Sequence, residues 1–420
     1  MSEKANLANI QSEKQSSLQP KLRFPEFQNQ EGWRKAKLGD LVNILSGYAP
    51  NSHNLNSSCG FPYVKVEDMN NCSKYQEQSR EYVKEDDRCL PVGAVMFPKR
   101  GAAIMANKVR IAAVPFYIDS NMMALSPNKA SSLISEFLYY LVSAQKLSKI
   151  ADTSSIPQIN NKHIKSYRIT VPSVPEQQKI ADCLSSIDDR ITAETQKLDT
   201  LKAHKKGLMQ QLFPAEGENV PKLRFPEFDK RWLYDAMSRH VKLISGLHLA
   251  PSEYEDYRTE DRIPYFTGPS DFTNDIKEVS KWTSESKKPA SRGNTLLTVK
   301  GSGVGQLMFL ELPKVAMGRQ LMAISANPDA EKFIFYCLDM KRQHFEALAS
   351  GNMIPGISRG DILNTKVPFS ENSRERRKIS DCLSSLDRLI TVHFQKINAL
   401  KAHKKGLMQQ LFPSLDEAKR

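Results

Sequence analysis

Two distant stretches of the chain carry the same alternation of apolar and polar positions. In residues 179–214, Ile180, Leu184, Ile187, Ile191, Leu198, Leu201, Leu208 and Leu212 recur at steps built from threes and fours. In residues 378–413, Ile379, Leu383, Leu386, Ile390, Ile397, Leu400, Leu407 and Leu411 repeat that spacing in nearly the same words. A seam kept over several heptads predicts a helix that pairs through it. Each helix would be about 50 Å long at ~1.5 Å per residue. Two matching seams in one chain favour pairing with each other; the plainer alternative is two amphipathic helices buried in separate domains. Lys205 and Lys404 interrupt the seam at equivalent places. A polar residue in a seam can fix register and partner orientation.

An internal repeat on this scale sets the architecture. Upstream of each seam the chain starts afresh: PKLRFPEF occupies residues 20–27 and again 221–228, followed by Trp33 and Trp232 and then by Ser46-Gly47 and Ser245-Gly246. Between head and seam lie short apolar runs at matching places. Phe61-Pro62-Tyr63 answers Ile263-Pro264-Tyr265, with Asp68 and Asp271 a few residues on. Residues 93–101 answer 293–301, each an apolar strand followed by a basic residue and a glycine, and 122–126 answer 321–325. Residues 137–142 and 333–338 read as helices, and an Ile-Pro-x-Ile element (156–159, 354–357) precedes a last strand (167–171, 364–368). Short strands with few helices predict a compact α+β body. The expected organisation is a disordered tail (1–19), a first body (20–172), a first coil helix (173–214), a linker (215–220), a second body (221–373), a second coil helix (374–413) and a tail (414–420). The fold predicted is therefore α+β, with two similar globular bodies joined by two long helices pairing as an antiparallel coiled coil, in a pseudo-twofold internal repeat. The loops between the anchors differ almost completely, as two related readers of different ligands would require.

At 420 residues the chain has room for such domains, each with its own core. Its net charge of +13 favours a polyanionic partner. The six cysteines form no C-x-x-C pair and no His-bearing metal spacing, so reduced thiols in a cytoplasmic protein are expected. The first 18 residues lack the apolar run of a secretory signal, and no stretch approaches the ~20 apolar residues of a membrane span.

Catalytic chemistry is not visible. Residues 301–305, GSGVG, lack the Gly-Lys-Ser/Thr ending of a phosphate loop and read as a tight turn after a strand. There is no Asn-Pro-Pro-aromatic motif for adenine methylation, and the eight histidines form no ligand set. The expectation is a binding protein with no cofactor of its own and no metal site. Its candidate DNA-binding residues are basic, amide and hydroxyl side chains in loops. In the first body they are Lys65, Lys99, Arg100, Asn107, Lys108, Arg110, Gln158, Asn160, Asn161 and Lys162; in the second, Arg292, Lys300, Ser302, Arg319, Gln320, Ser358 and Arg359. Arg and Lys hold phosphates or guanine edges, and Asn and Gln pair with adenine.

This head-body-coil layout, taken twice, resembles the specificity subunit of type I restriction-modification enzymes over nearly the whole chain. The likeness rests on the duplicated coils, on the Glu176-Gln177-Gln178-Lys179-Ile180 approach to the first, on the Ile-Pro-x-Ile elements and on the basic-Gly strand ends. The second coil departs from it, being approached by Arg374-Glu375-Arg376-Arg377. The resemblance implies that each body is a target-recognition domain reading one half of a bipartite, asymmetric double-stranded DNA site. It also implies that the coil sets the spacer and docks two methyltransferase (modification) subunits, with restriction (motor-nuclease) subunits joining for cleavage in phage defence. S-adenosylmethionine, ATP and Mg would then belong to those partners. A non-catalytic coiled-coil adaptor would explain the coils but not two divergent basic bodies. An RNA-binding scaffold would need stacking aromatics in a recognisable arrangement, and a self-sufficient methyltransferase-nuclease would need the missing motifs.

Overall fold

A computed structural model describes residues 19–52, 54–84, 88–152, 156–284, 288–301, 303–350 and 356–413. Apart from Gln19, the two expected tails lie outside the described residues, as do Ser302 and Ile354-Pro355. The chain divides into two compact units, Met1–Lys197 with His393–Arg420, and Leu198–Val392. These limits differ from those of the repeat, because each unit takes the end of the other copy's long helix. The two helices run Val174–Leu212 and Ser373–Leu411, 39 residues each.

In the first unit a five-stranded sheet has the order Val42–Ser46, Met122–Pro127, Val95–Pro98, Arg110–Ala112, Tyr75–Gln76. Its pairings are antiparallel except the last, which is parallel. A three-stranded sheet, Tyr82–Val83, Phe61–Val64, Tyr117–Ile118, packs with it. The second unit has the corresponding four-stranded sheet, Val241–Ser245, Leu321–Ala326, Thr295–Thr298, Leu307–Phe309. Beside it lies a second four-stranded sheet, Trp282–Thr283, Ile263–Phe266, Lys314–Met317, Ala290–Ser291. The strands Val95–Pro98 and Thr295–Thr298 are buried on both faces; the first reads as an unbroken apolar run, while the second buries Thr295 and Thr298 around Leu296 and Leu297. In each unit a short ladder (Arg34–Lys37 with Arg168–Val171, Leu233–Ala236 with Lys366–Phe369) brings the first and last strands of the body together at the start of the long helix.

The repeated head has a packing reason. In the first unit Arg23 donates from Nε and Nη2 to the Glu176 carboxylate, both at 2.8 Å, and Trp33 Nε1 donates to the same group at 3.1 Å. In the second, Arg224 and Trp232 hold Glu375 in the same way. Each glutamate stands in the first turn of its helix, where the helix dipole favours an anion. Around each tryptophan an aromatic cluster closes. Phe412 lies 6.3 Å from Trp33 and 5.5 Å from Phe137; Phe213 lies 5.8 Å from Trp232 and 5.2 Å from Phe333. Each such pair adds about 0.5–1.5 kcal/mol beyond area burial. The Leu-Phe-Pro ending of each coil is thus a core element of the unit it reaches.

Within each unit the helix segments pair antiparallel. In the first, Lys404 Nζ meets Asp188 Oδ1 at 2.6 Å while His393 Nδ1 meets Glu194 Oε2 at 2.6 Å, so numbering rises on one helix as it falls on the other. In the second, Lys205 Nζ meets Asp387 Oδ1 at 2.7 Å, and Leu212 and Phe213 share a core with Ile379 and Leu383. All sixteen seam residues named above are buried or half-buried. The seam lysines are therefore matched polar positions, each with its own aspartate. The altered approach to the second coil is also accounted for. Buried Gln177 donates to the carbonyls of Ser132 and Pro172. Its counterpart Arg376 instead donates to the Ser370 carbonyl, pairs with Asp329 and lies over the Phe369 ring.

Candidate nucleic-acid interface

Two features far apart in each copy are joined by main-chain hydrogen bonds. In the first unit the strand Val95–Pro98 runs on through Lys99 and Arg100 to Gly101, whose φ of 71° turns the chain away. Lys99 N–H donates to the Asn121 carbonyl at 2.8 Å. Its own carbonyl accepts from Ile159 N–H at 2.9 Å, and Gly101 N–H donates to the Pro157 carbonyl at 2.9 Å. The basic strand end and the Ile-Pro-x-Ile element are therefore joined across an isolated antiparallel bridge, Arg100 to Gln158. Between them opens a cleft of about 420 Å³, lined by Lys99, Arg100, Met123, Gln158, Ile159, Asn160, Asn161 and Lys162. Asn160 caps the helix Asn161–Ser166, accepting from the Lys162 and His163 amides at 3.0 and 3.2 Å. Burial, with Arg100 beside it, holds the Lys99 ammonium below its ordinary pKa.

The second unit builds the same junction from different side chains. Val299 N–H donates to the Gln320 carbonyl at 2.8 Å, and Ile357 N–H donates to the Val299 carbonyl at 2.8 Å. Lys300 bridges Gly356, and Gly301 turns the chain at a φ of 89°. Ser358 caps the helix Arg359–Asn364, and Arg359 donates from Nη1 to Ser245 Oγ at 3.0 Å and from Nη2 to the Leu243 carbonyl at 3.2 Å. Arg319 is exposed beside Gln320. Lys300, Gln320, Ser358 and Arg359 thus gather at one edge.

The remaining candidates stand elsewhere. Lys65 pairs with Glu81. Asn107, at a φ of 49°, donates to the Ser143 carbonyl at 2.9 Å and accepts from Leu147 N–H at 2.8 Å, so it braces a helix junction. Arg110 donates to the carbonyls of Met69 and Val109, both at 2.7 Å, and Lys108 donates to Asn70. Arg292 precedes the strand Thr295–Thr298, whereas Lys300 follows it; Arg292 Nε donates to the Glu311 carbonyl at 2.9 Å in a cleft that also holds Asp275, Glu331 and Asp381. Basicity alone could not tell these braces from free edges. Asn121, exposed beside Lys99, is a further candidate; it stands one residue before the apolar run at 122–126, as Gln320 stands before 321–325, and that match marks it in the sequence.

The type I restriction modification DNA specificity domain matches the chain twice, over residues 30–203 and 249–402. The chain belongs to this family. As a family member it is the specificity subunit of a type I restriction-modification system. It is 25% identical over 405 residues to the proposed type I restriction enzyme MjaX specificity subunit of Methanocaldococcus jannaschii, covering 91% of this chain and 93% of that one. To the MjaVIII specificity subunit of the same organism it is 22% identical over 412 residues, with 91% and 92% covered. The crystal structure of the type I S subunit from M. genitalium shares the fold at a TM-score of 0.67 and 16% identity, covering 95% of this chain and all of that one. A chain from a study of complex assembly and conformational transition of the type I restriction-modification system aligns at a TM-score of 0.52 and 18% identity, over 91% of this chain and 98% of its own. Among the described residues no helix is long and apolar enough to cross a membrane, and no three His, Cys, Asp or Glu side chains are grouped to hold a metal ion.

Proposed function

We propose that this specificity subunit reads a bipartite duplex DNA site, one half-site per body, through the paired strand end and Ile-Pro-x-Ile element of each unit. The observation that carries the reading is the hydrogen bond from Ile159 to Lys99, repeated from Ile357 to Val299. One main-chain frame presents Lys99, Arg100, Gln158 and Asn160 in the first unit and Lys300, Gln320, Ser358 and Arg359 in the second. A common frame with unlike donors and acceptors supports two different half-sites. The two long helices set the number of unread base pairs. The chain itself performs no chemistry in this reading. Two modification subunits transfer methyl groups from S-adenosylmethionine, and restriction subunits use ATP and Mg to translocate and cut.

The experiment is a methylome of a host carrying this chain with its modification subunits. Exchanging residues 33–170 for the body of a relative should change one half of the methylated motif and leave the other. A change in both halves, or in neither, would reject the assignment of one half-site to each body. Methyl transfer by the purified chain alone would reject the absence of chemistry.

A further inference from the structure

The Ile-Pro-x-Ile element of the first unit alternates as a strand edge does. Ile156, Gln158 and Asn160 are exposed, whereas Pro157 is half-buried and Ile159 buried. Side chains two residues apart on an extended chain share a face. Ile156 therefore stands in one row with Gln158, the bridge partner of Arg100. The backbone does not require an isoleucine there. A residue before proline is held extended, and threonine, also β-branched, would suit that conformation equally. Ile156 is nevertheless 62% exposed. The second copy of the sequence carries the same residue at the matching place, Ile354.

A second apolar side chain belongs to the same edge. Because Gly101 N–H donates to the Pro157 carbonyl, the helix Ala102–Met105 starts level with Ile156. Ala102 and Met105, three residues apart, are neighbours on one helix face. Both are exposed, Met105 at 65%, while Ile104 is fully buried. Among the described residues Met105 and Ile156 are the two most exposed large apolar side chains. Single exposed apolar residues are ordinary. These two stand within a few residues of a cleft whose lining includes Lys99, Arg100 and Lys162. Cations so placed match a polyanion, which favours nucleic acid over an apolar protein face as the occupant.

We infer that Ile156, together with Met105, reads a thymine of the first half-site through the 5-methyl group of the base in the major groove. The inference rests on the proposed function and adds two specificity-determining residues to it. Phosphate and sugar are met by polar donors. On the base edges of the major groove the thymine methyl is the one apolar feature. Arg100 and Gln158, in the neighbouring places, carry the donors and acceptors that read edges in that same groove. The β-branched isoleucine holds few rotamers, and the flexible thioether of methionine adapts to what it touches. The pair thus offers the methyl group one fixed wall and one that adjusts. Burying one methyl group changes affinity about fourfold.

The test measures binding of the full chain, purified with its modification subunits, to duplexes carrying the site that its methylome defines. Each thymine of the first half-site, on either strand, is replaced in turn by deoxyuridine, which lacks only the methyl group. One such replacement should weaken binding of the wild type about fourfold. The variant I156A/M105A should bind the thymine and deoxyuridine duplexes alike, with an affinity close to that of the wild type for deoxyuridine, as a folded protein would. I156L/M105L, which keeps apolar side chains, should still prefer thymine. Replacements in the second half-site should affect wild type and variants equally. A wild type indifferent to every deoxyuridine overturns the inference, and so does an alanine variant that prefers thymine as strongly as the wild type. If the alanine variant loses affinity alike on all sequences while the wild type ignores the methyl groups, the two side chains wedge a base step and the inference is likewise overturned. A wild type that does not distinguish its own site from random duplex overturns the functional reading as well.

Discussion

Glu176 sits in the fork of Arg23, with both carboxylate oxygens 2.8 Å from guanidinium nitrogens and the pair buried 153 residues apart in sequence. Removing one partner of a buried ion pair strands the other charge, at a cost of about 3–5 kcal/mol. E176A should therefore destabilise the first unit by about that amount, while R23M/E176L, which removes both charges, should recover much of it. Chemical denaturation of the full chain, followed by amide hydrogen exchange in the first unit, measures both. Equal loss in the single and double variants would show that the clamp acts by packing alone.

The seam lysines make a second prediction. Asp188–Lys404 and Asp387–Lys205 are half-buried pairs at equivalent positions, 2.6 and 2.7 Å apart. D188K and K404D should each destabilise, and the charge-swapped double variant should regain part of the loss, with a coupling of about 0.5–3 kcal/mol between contacting residues. No coupling in a double-mutant cycle would mean that the lysines are merely tolerated in the seam.

What the sequence showed and what it hid divide along a physical line. Ile180, Leu184 and their successors were legible because a seam is written in the spacing of one helix. The partners of Lys205 and Lys404 were not, since which residue faces them depends on the register between helices. Glu194 and His393, facing each other where the seam steps from Ile191 to Leu198 and from Ile390 to Ile397, had left a trace in that widened step. Arg23 with Glu176 could not be paired at all, because nothing local joins residues so far apart. Among the candidate DNA contacts, Arg100 and Gln158 meet across an antiparallel bridge. Asn107 and Arg110 did not join them, because their carbonyl partners are supplied by the fold.

His240 gives a pH dependence whose sign can be worked out. Burial holds its imidazole below the ordinary value of 6.5, against the opposing pull of Asp235, and its ring stacks on Phe369 at 3.8 Å. The unfolded chain therefore takes up this proton first as pH falls. The stabilisation is complete above about 6.5 and is lost progressively as pH drops through the lower folded value. H240F keeps an aromatic ring against Phe369 without the titration. Thermal unfolding between about pH 7.5 and about pH 5.5 should lower the melting temperature of the wild type more than that of H240F. Parallel losses would assign the acid sensitivity elsewhere.

Arg100 and Lys300 each stand before a turn glycine at the strand end proposed to meet DNA. R100A should weaken duplex binding by about 1–3 kcal/mol at one base position if the guanidinium pairs with a guanine edge. If it holds phosphate, the loss should be alike on all sequences and the salt slope should fall by about one. K300A separates in the same way for the other half-site. Unchanged binding in both variants would move the DNA face to other loops.

The length of the coil helices makes the last prediction. Inserting one heptad after Thr195 and one after Gln395 keeps both seams in phase, because the apolar pattern repeats every seven residues. Each helix then grows by about 10 Å at ~1.5 Å per residue. Duplex DNA advances ~3.4 Å per base pair along a strand, so a coil that sets the spacer should add about three base pairs to the unread gap. Over that distance the groove turns through roughly a third of a revolution, at ~10–10.5 base pairs per turn. The added heptad does not supply the same rotation, so affinity should fall even on the best new site, while both half-sites stay as they were. The methylome of the lengthened protein reads the gap directly. A gap grown by about two to four base pairs supports the ruler, and an unchanged gap would show that the spacing is set by the DNA-bound partners instead.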